Sequence, residues 1–235
     1  MYVYFDNNIV IDYEEGKKVV PFVSEVNYVY SYTHLQEFLE VKENFDTRKD
    51  VRIQTIKRLT SNKYVSYNGK NLLSICEREP SEVFANVDSP LSKICSLLIH
   101  QATSCWLVDN SPKFLIDILK IEKKVINNYT PEMLFEKHGE IIKNYIASTS
   151  NSMQEEFQSF FNILDELGFW QDKVYKGSTM NRSYDANHAY FATSCDYFVT
   201  NDRNTRIKAS AIYQLYGFKT QAVSYEDFIL LVEKQ

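Results

Sequence analysis

Three aspartates in this sequence flank short apolar strands at places where their carboxylates can act together. Asp6 comes directly after an apolar run at residues 2–5, and Asp202 lies two residues beyond Thr200, past a second apolar run. Asp185 precedes Asp202 by seventeen residues, at the predicted entrance of a helix that leads into the second strand. In an open parallel sheet, ligands bind beyond the carboxyl ends of the strands. Asp6 and Asp202 are therefore expected at one edge of the sheet. A helix of ~11 residues is ~16 Å long, so it can run back along the strand and place Asp185 beside them.

The chemistry that such a group of carboxylates supports is the binding of a divalent cation. Crowded carboxylates repel one another, and they persist only where protons or cations neutralise them. Oxygen ligands suit Mg²⁺ or Mn²⁺, and such ions polarise a phosphodiester, generate hydroxide and stabilise the leaving oxygen. A divalent-cation site of this kind gives a physical reason for acids at these positions.

Each acid also has a purely structural interpretation. Asp6 is followed by two asparagines, so it fits a simple Asx turn after a strand. Asp185 fits an acid that complements the dipole at a helix N-terminus, and Asp202 fits another turn residue. Asp196 is predicted to end the helix and face solvent, and it is not proposed as a ligand.

The elements that must position these acids are predicted from hydrophobic periodicity and turn residues. The segment 19–31 is rich in strand-forming residues, and a helix is predicted over 33–45 with Thr33 as its N-cap. An Asn-Gly pair between alternating apolar residues predicts a β-hairpin near 63–75.

Helices are predicted through the middle of the chain, over 87–169. Three Ser/Thr-Pro pairs mark helix starts: Ser89-Pro90, Ser111-Pro112 and Thr130-Pro131. The segment 157–167 carries Phe and Leu on one helical face, which predicts a core helix, and Gly168 is its expected C-cap.

The last third of the chain alternates between helix and strand. The predicted order is helix 185–195, strand 197–200, helix 205–215, strand 218–223 and helix 225–233. Such alternation favours an α/β fold with a parallel sheet and crossover helices. The chain has only six glycines, and they are not clustered, so a glycine-rich phosphate loop is excluded.

Composition places the chain among ordinary globular proteins. Its 235 residues fit one large domain, or one domain with a substantial insertion. The net charge of −5 disfavours bulk electrostatic capture of nucleic acid, although a cluster of metal-binding acids would itself make the count negative. The four cysteines form no CxxC pair and are interpreted as small core residues. No run is long enough to span a membrane, and a cytoplasmic protein is expected.

Two stretches at the ends of the chain resemble motifs of PIN-domain nucleases. "DANHAYFATSCDYFVTND" resembles the family's C-terminal motif, in which an Asp opens a small-residue helix and a strand leads to Thr-x-Asp. "YFDNNIVID" resembles the family's opening strand and Asp-x-Asn turn, matched at Asp6 and Asn8.

A third stretch, "SYTHLQEFLE", resembles the segment in which the family places its intermediate acid on a helix. Glu37 is the better match, and Glu40 is the fallback. The three stretches occur in the family's order and cover about a third of the chain, at and near its two ends. Residues 46–180 depart from compact members of the family.

The resemblance implies a doubly wound α/β fold in a single PIN-like domain over 1–235, with the hairpin and middle helices as an elaboration. It implies hydrolysis of RNA that depends on Mg²⁺ or Mn²⁺, with Asn8 and Thr200 orienting the acids. The four implied ligands and catalytic acids are Asp6, Glu37, Asp185 and Asp202.

Two histidines and one cysteine lie near these acids. His188, one helical turn after Asp185, is a candidate to orient that carboxylate or contact a phosphate, although a solvated or capping histidine is the favoured interpretation. Cys195 shares a helical side with His188, but core packing is the favoured interpretation over a Cys-His nucleophile. His34 and Glu37 are three residues apart, and a packing or supporting role for His34 is favoured over metal ligation.

Four arginines are candidates for contacting nucleic acid. Arg203 and Arg206 follow Asp202 directly and are expected at the rim of the pocket. Arg52 and Arg58 belong to a basic stretch beside tyrosines, which fits phosphate contact and base stacking on a single strand. A solvated helix face is the alternative for that stretch.

The favoured function is a metal-dependent endoribonuclease acting on single-stranded RNA, as a toxin, a defence nuclease or an RNA-processing enzyme. An inhibitor protein, if the chain is a toxin, and a second copy in a homodimer are the other partners considered; no membrane partner is expected. The alternative is a non-cleaving module that binds nucleic acid or protein. A receiver-type phosphoryl-transfer domain is disfavoured, because its candidate lysine, Lys219, precedes its strand.

Overall fold

A computed structural model of the protein describes residues 1–39, 45–68, 72–89, 119, 128–170 and 178–234. The strands in these residues are β1 (Tyr2–Phe5), β2 (Asn27–Val29), β3 (Lys63–Tyr67), β4 (Leu73–Glu77), β5 (Tyr197–Val199) and β6 (Gln221–Val223). The helices in the same residues are α1 (Asn7–Glu14), α2 (Tyr32–Phe38), α3 (Phe45–Thr60), α4 (Pro80–Val87), α5 (Pro131–Thr149), α6 (Met153–Leu167), α7 (Ser178–Ala192), α8 (Arg203–Tyr216) and α9 (Tyr225–Val232).

The central element is a four-stranded parallel sheet with the order β2-β1-β5-β6. The middle strands β1 and β5 bury apolar side chains, including Val3, Phe5 and Phe198, as strands covered on both faces do. The predicted α/β class with a parallel sheet is confirmed. The chain leaves β1 toward β2 on one side and later returns to β5 on the other, so the strand order reverses between β1 and β5. At such a reversal, a crevice opens beyond the carboxyl ends of the strands.

The hairpin is a separate element beside this sheet. β3 and β4 pair antiparallel from Lys63↔Glu77 to Tyr67↔Leu73, which confirms the hairpin predicted near 63–75. A bridge between Tyr30 and Tyr64 connects it to the β2 edge of the main sheet. Gly69, half of the predicted turn, lies outside the described residues.

Predicted caps define the helices of the middle segment. The Thr130 side chain caps α5 by accepting from the backbone N–H of Met133, and Pro131 occupies the first turn. Gly168 ends α6 with φ 82°, a left-handed conformation that glycine adopts without steric cost. Both predictions are confirmed. Pro90 and the Ser111-Pro112 pair lie outside the described residues.

The start of α2 differs from the prediction. Ser31, not Thr33, is the N-cap, and its hydroxyl accepts from the backbone N–H of Thr33. The His34 ring in turn accepts from the backbone N–H of Ser31 at 3.1 Å. This reciprocal pair satisfies two N–H groups that otherwise lack partners in the first turn. Residues 40–44, which the predicted helix included, lie outside the described residues.

Three boundaries in the last third also differ, and one of them is the end of α7, which lies at Ala192 and not at residue 195. α7 begins at Ser178 instead of Asp185, since the residues between them include no Gly or Pro to stop a helix. The strand predicted over 218–223 shortens to β6, Gln221–Val223, after Gly217 ends α8 with φ 72°.

The apolar face of α6 is buried, as predicted, with Phe157, Phe160 and Leu164 all fully enclosed in one core cluster. The same cluster includes Tyr4 of β1 and Phe198 of β5, so the middle helices share a core with the sheet. No helix in the described ranges has both the length and the apolar composition needed to cross a bilayer.

Candidate active site

Asp6 lies at the end of β1, where its backbone N–H donates to the carbonyl of Val199 in β5. Its side chain caps α1: Oδ1 accepts from the N–H of Asn7 at 2.7 Å. Oδ2 accepts from the Asn8 amide at 2.8 Å and from the Thr200 hydroxyl at 2.7 Å. Asn8 and Thr200, the two residues expected to orient the acids, thus both hold this carboxylate.

Thr200 also connects Asp6 to Asp202. Its hydroxyl donates to Asp6 and accepts from the N–H of Asp202 at 3.1 Å. Asp202 in turn caps α8, where Oδ1 accepts from the N–H of Thr205 at 2.8 Å. Both acids therefore have a local structural role, but each caps a helix and is not the simple turn residue of the structural interpretation. A carboxylate has about four acceptor positions, so capping does not use up either group.

Asp185 is not at a helix entrance, because seven residues of α7 precede it. A role as an N-terminal dipole partner is therefore wrong, since that effect is confined to the first turn. Within the described residues, no hydrogen bond or ion pair holds its half-buried side chain. Burial, followed by repulsion from Asp6, Asp202 and Glu37, raises the pKa of Asp185 well above its ordinary value, against a smaller opposite effect of Lys208.

Glu37 reaches the same pocket from the last turn of α2. Its Oε2 lies 3.1 Å from Nε2 of His188, and the same nitrogen lies 3.9 Å from Oδ1 of Asp6. His188 therefore lies between Glu37 and Asp6. It is only 1% exposed, so the favoured interpretation as a solvated histidine is wrong, and its ring nitrogens contact Tyr4 and Glu37 instead of Asp185. Glu40, the fallback acid, lies outside the described residues.

The electrostatics of the pocket follow from this crowding. Burial raises the pKa of Asp6, and Glu37 raises it further, while His188, Thr200 and the backbone of Asn7 oppose the change. Carboxylates from four separate segments thus share one environment in which full ionisation is unfavourable.

The donor chemistry of the pocket fits Mg²⁺ or Mn²⁺, because the groups facing it are mostly oxygen ligands. Asn8 adds to this fit, since its side-chain oxygen is buried and has no hydrogen-bond partner among the described residues. The geometry is not that of a ready-made centre. In the described part of the chain, no three or more His, Cys, Asp or Glu side chains are arranged so that they could hold a metal ion. Asp6, Asp202 and Glu37 instead accept hydrogen bonds from the protein.

His34 is a buried supporting residue and not a metal ligand. Its Nε2 donates to the carbonyl of Phe5 at 2.8 Å, directly before Asp6. Burial, with His188 as the next cause, lowers the pKa of His34 to about 3, so the ring is neutral. The favoured interpretation of His34 agrees with these contacts.

Arg203 and Arg206, the arginines of the C-terminal motif, both lie in the first turns of α8. Arg203 opens α8 directly after Asp202 and is exposed. Arg206 is half-buried and donates to the carbonyl of Thr200 at 3.0 Å, so its guanidinium lies beside the end of β5. Arg203 is the freer of the two to contact a phosphate.

The expectation for Arg52 is wrong, and Arg58 lies at a distance from Asp6. Arg52 is only 3% exposed, because Nε donates to Glu14 at 2.6 Å and an amino group donates to Asn7 at 3.2 Å. Arg58 is exposed but stacks over Tyr13, with 5.1 Å between the guanidinium carbon and the ring centroid. Tyr13 is seven residues along the chain from Asp6, which is about 10 Å at the rise of a helix.

The sequence did not predict that two charged residues, Lys208 and Asp165, are buried. Lys208 of α8 lies 2.5 Å from Asp165 of α6, and Lys208 is the cation that lowers the pKa of Asp185. Its burial could have been predicted, because Lys208 lies at helical spacing between Thr205 and Ile212, which are also buried. A lysine on an apolar helix face requires a buried partner.

The two cysteines that the structure describes, Cys76 and Cys195, take no part in the pocket. Cys195 is buried, and burial raises the pKa of its thiol to about 12, which argues against a nucleophile. Cys76 is exposed, so its interpretation as a core residue is wrong: it lies on the outer strand of the hairpin. Cys95 and Cys105 lie outside the described residues.

Comparison of the chain with protein-family models, with curated proteins and with solved structures finds no match.

Proposed function

We propose that this protein is a metal-dependent endoribonuclease of PIN type that cleaves single-stranded RNA. The observation that carries the proposal is Asp185, a carboxyl group in a helix interior with no protein partner among the described residues and three acids around it. A protein gains no stability from such a group, because the charges repel one another. A cation that bound there would remove the repulsion, which gives the arrangement a function.

The sheet topology supports the same proposal. Asp6 follows β1 and Thr200 follows β5, the two strands between which the strand order reverses. Ligands in open α/β sheets bind at that position, and a doubly wound PIN-like fold has such a reversal. The C-terminal and N-terminal motifs meet there through the hydrogen bond from Thr200 to Asp6.

In the proposed mechanism, Asp6, Glu37, Asp185 and Asp202 would hold one or two Mg²⁺ or Mn²⁺ ions. When bound, such ions activate water and stabilise the leaving oxygen of the phosphodiester. The chain's own contribution is orientation: Thr200 and Asn8 fix Asp6, and the backbone of Thr205 fixes Asp202. Arg203 is placed to contact a phosphate of the RNA backbone.

The second candidate function is a module that binds nucleic acid or protein without cleaving it. One observation favours it: Asp6, Asp202 and Glu37 already accept hydrogen bonds from donors of the protein. In that case the acids would be structural caps and an ion pair. Cleavage distinguishes the two candidates, because only the nuclease requires a cation at these carboxylates.

The test is cleavage of labelled single-stranded RNA, with single- and double-stranded DNA in parallel, in Mn²⁺, Mg²⁺ or EDTA. Asp202→Asn is the sharpest variant, because Asn caps a helix as well as Asp does and the fold should persist. We expect the RNA to be cleaved with either ion and not in EDTA, and Asp202→Asn to slow cleavage by a factor on the order of 100.

Asp196→Asn is the matched control. Asp196 also accepts from a backbone N–H, that of Tyr2 at 2.7 Å, but it lies at the opposite end of β1 and β5. Its substitution should leave the cleavage rate unchanged. Cleavage that persists in EDTA and in Asp202→Asn would contradict the nuclease proposal, and RNA binding without cleavage would favour the module.

A further inference from the structure

A buried chain of polar side chains lies directly beneath the acidic pocket. Tyr4, in β1, is completely buried, and its hydroxyl lies 2.7 Å from Oγ of Ser31 and 2.8 Å from Nδ1 of His188. Nδ1 of His34 is farther away, at 3.4 Å. The other nitrogen of His188 contacts Glu37. The chain therefore leads from the sheet to one of the pocket's acids.

The donor in each of these hydrogen bonds can be assigned by counting the protons and lone pairs that each side chain has. Nδ1 of His34 accepts from the N–H of Ser31, and Nε2 donates to the carbonyl of Phe5. Nδ1 of His34 therefore has no proton to give and no second lone pair to accept with. The hydroxyl proton of Tyr4 is therefore donated either to Oγ of Ser31 or to Nδ1 of His188.

The carboxylate of Glu37 only accepts, so Nε2 of His188 carries the proton in their 3.1 Å contact. In a neutral ring, Nδ1 is then bare, and the hydroxyl of Tyr4 donates to it. Ser31 completes the set by donating to the oxygen of Tyr4 while its own oxygen accepts from the N–H of Thr33 at 3.3 Å. Every donor and acceptor in this buried set then has one partner.

We propose that Tyr4 is a positioning residue for the acidic pocket: its hydroxyl donates to Nδ1 of His188, and this leaves the Nε2–H of His188 to hold Glu37 beside Asp6. The role of the pocket as a cation site rests on the proposed function. The hydrogen-bond direction does not, because it follows from the polar contacts of a neutral His188 ring, the form in which each hydroxyl proton of the set has an acceptor.

The hydrogen bond from His188 fixes the position of the Glu37 side chain. Its side chain is 35% exposed, and a long side chain at the surface loses conformational entropy when it is ordered. His188 is 1% exposed and comes from a helix 151 positions further along the chain. By binding Oε2 alone, His188 leaves the second oxygen of Glu37 for a cation. Hydrogen bonds that orient ligands in this way contribute about 10–100-fold to metal affinity.

The first measurement is the tautomer of His188 from long-range ¹H–¹⁵N correlation of the histidine rings in the cation-free protein. The chain has only four histidines, so single His→Gln variants assign the signals. We expect wild-type His188 to be protonated at Nε2 alone, and Tyr4→Phe to shift proton occupancy toward Nδ1. A wild-type ring protonated at Nδ1, or at both nitrogens, would overturn the proposal, as would an unchanged spectrum in Tyr4→Phe.

Tyr213→Phe is the matched control. Tyr213 is equally buried, and its hydroxyl donates to the carbonyl of Ala189 at 2.7 Å, on the same helix as His188. Its loss tests what removal of any buried tyrosine hydroxyl does to the fold. We expect Tyr213→Phe to leave the His188 signals unchanged.

The second measurement is Mn²⁺ affinity by calorimetry, in a cycle of Tyr4→Phe, His188→Ala and the double variant. We expect Tyr4→Phe to weaken Mn²⁺ binding about 10–100-fold and to have no further effect once His188 is absent. Additive effects of the two substitutions would overturn the positioning role. If wild-type protein binds no Mn²⁺, the nuclease proposal fails, while the tautomer result stands or falls separately.

Discussion

Asp185 is a carboxyl group whose surroundings disfavour its charged form. It lies in the middle of α7, where an acid gains nothing from the helix dipole, and burial and three neighbouring acids raise its pKa well above the ordinary value. In the unfolded chain the same group titrates at about pH 3.9. Between these two pKa values the folded state binds more protons than the unfolded state.

Stability should therefore fall as the pH rises from about 4 toward the raised pKa of Asp185. Asp185→Asn should remove most of this slope and raise the melting temperature at pH 8 by a few degrees, with little change near pH 4. Part of the slope should remain, because the pKa of Asp6 is also raised. The measurement is thermal unfolding across this pH range without divalent ions.

Ser183→Ala, an uncharged change two residues earlier on α7, is the control and should leave the pH dependence as it is. Addition of Mn²⁺ to wild-type protein should flatten the slope in the same way as the substitution, since a cation also relieves the repulsion. A slope that Asp185→Asn does not alter would show that this carboxyl group is not under the repulsion described.

At the scale of elements, Arg52 joins α3 to α1. Its guanidinium is enclosed between Glu14, Asn7 and the ring of Phe38, whose centroid lies 5.2 Å away. Asn7 is the first residue of α1, directly after Asp6. Arg52 therefore supports the helix that begins at the pocket, instead of contacting a substrate.

Arg52→Ala and Arg203→Ala should have opposite effects. Removing Arg52 takes away the closer of the two cations beside the buried Glu14 carboxylate and leaves only Arg48, at 3.6 Å. The loss of a buried partner typically lowers the free energy of unfolding by about 3–5 kcal/mol, and we expect Arg48 to reduce this loss. Removing the exposed Arg203 should leave stability unchanged, weaken RNA binding and lower its salt slope by about 0.7. Chemical denaturation and RNA titration at several salt concentrations check both. The prediction is contradicted if Arg52→Ala weakens RNA binding without a loss of stability.

At the scale of the whole molecule, a buried group of charges joins the middle helices to the C-terminal segment. Asp165 of α6 lies 2.5 Å from Nζ of Lys208 in α8 and 3.2 Å from Nε of Arg182 in α7. Asp185 lies on α7, and Asp202 is the N-cap of α8. The middle segment, which the sequence marked as an elaboration, thus holds two helices of the candidate site in place.

Lys208→Met should destabilise the protein by about 3–5 kcal/mol, because it leaves Asp165 with less cationic compensation in the interior. Lys57→Met is the control, since Lys57 pairs with Glu79 at 2.7 Å but both side chains are about two-fifths exposed, and such surface pairs contribute little. Chemical denaturation of the two variants gives the comparison. Equal effects would show that Lys208 does not have the structural importance assigned to it.

The parts of the fold with a clear hydrophobic period, or with capping and turn residues at their ends, were predictable from the sequence. The strands at 2–5 and 197–199, the hairpin, the Thr130 cap and the Gly168 stop all depend on neighbours within a few residues, so local patterns predict them. The helix containing Asp185 was misplaced because an acid is as compatible with a first turn as with a helix interior. Arg52 was wrongly assigned to nucleic-acid contact, because the local sequence of a basic stretch does not show whether its side chains face solvent or pair with a distant glutamate.

The sequence by itself determined which residue types were present for cation chemistry, and that Asp6 and Asp202 follow strands of a parallel sheet. Only the tertiary structure decided that His188 lies between Glu37 and Asp6, that Tyr4 contacts His188, and that Lys208 is buried beside Asp165. These contacts join residues tens to hundreds of positions apart. Hydrogen bonds and ion pairs depend on distances in space, and a local pattern carries no information about which distant side chain fills the remaining position.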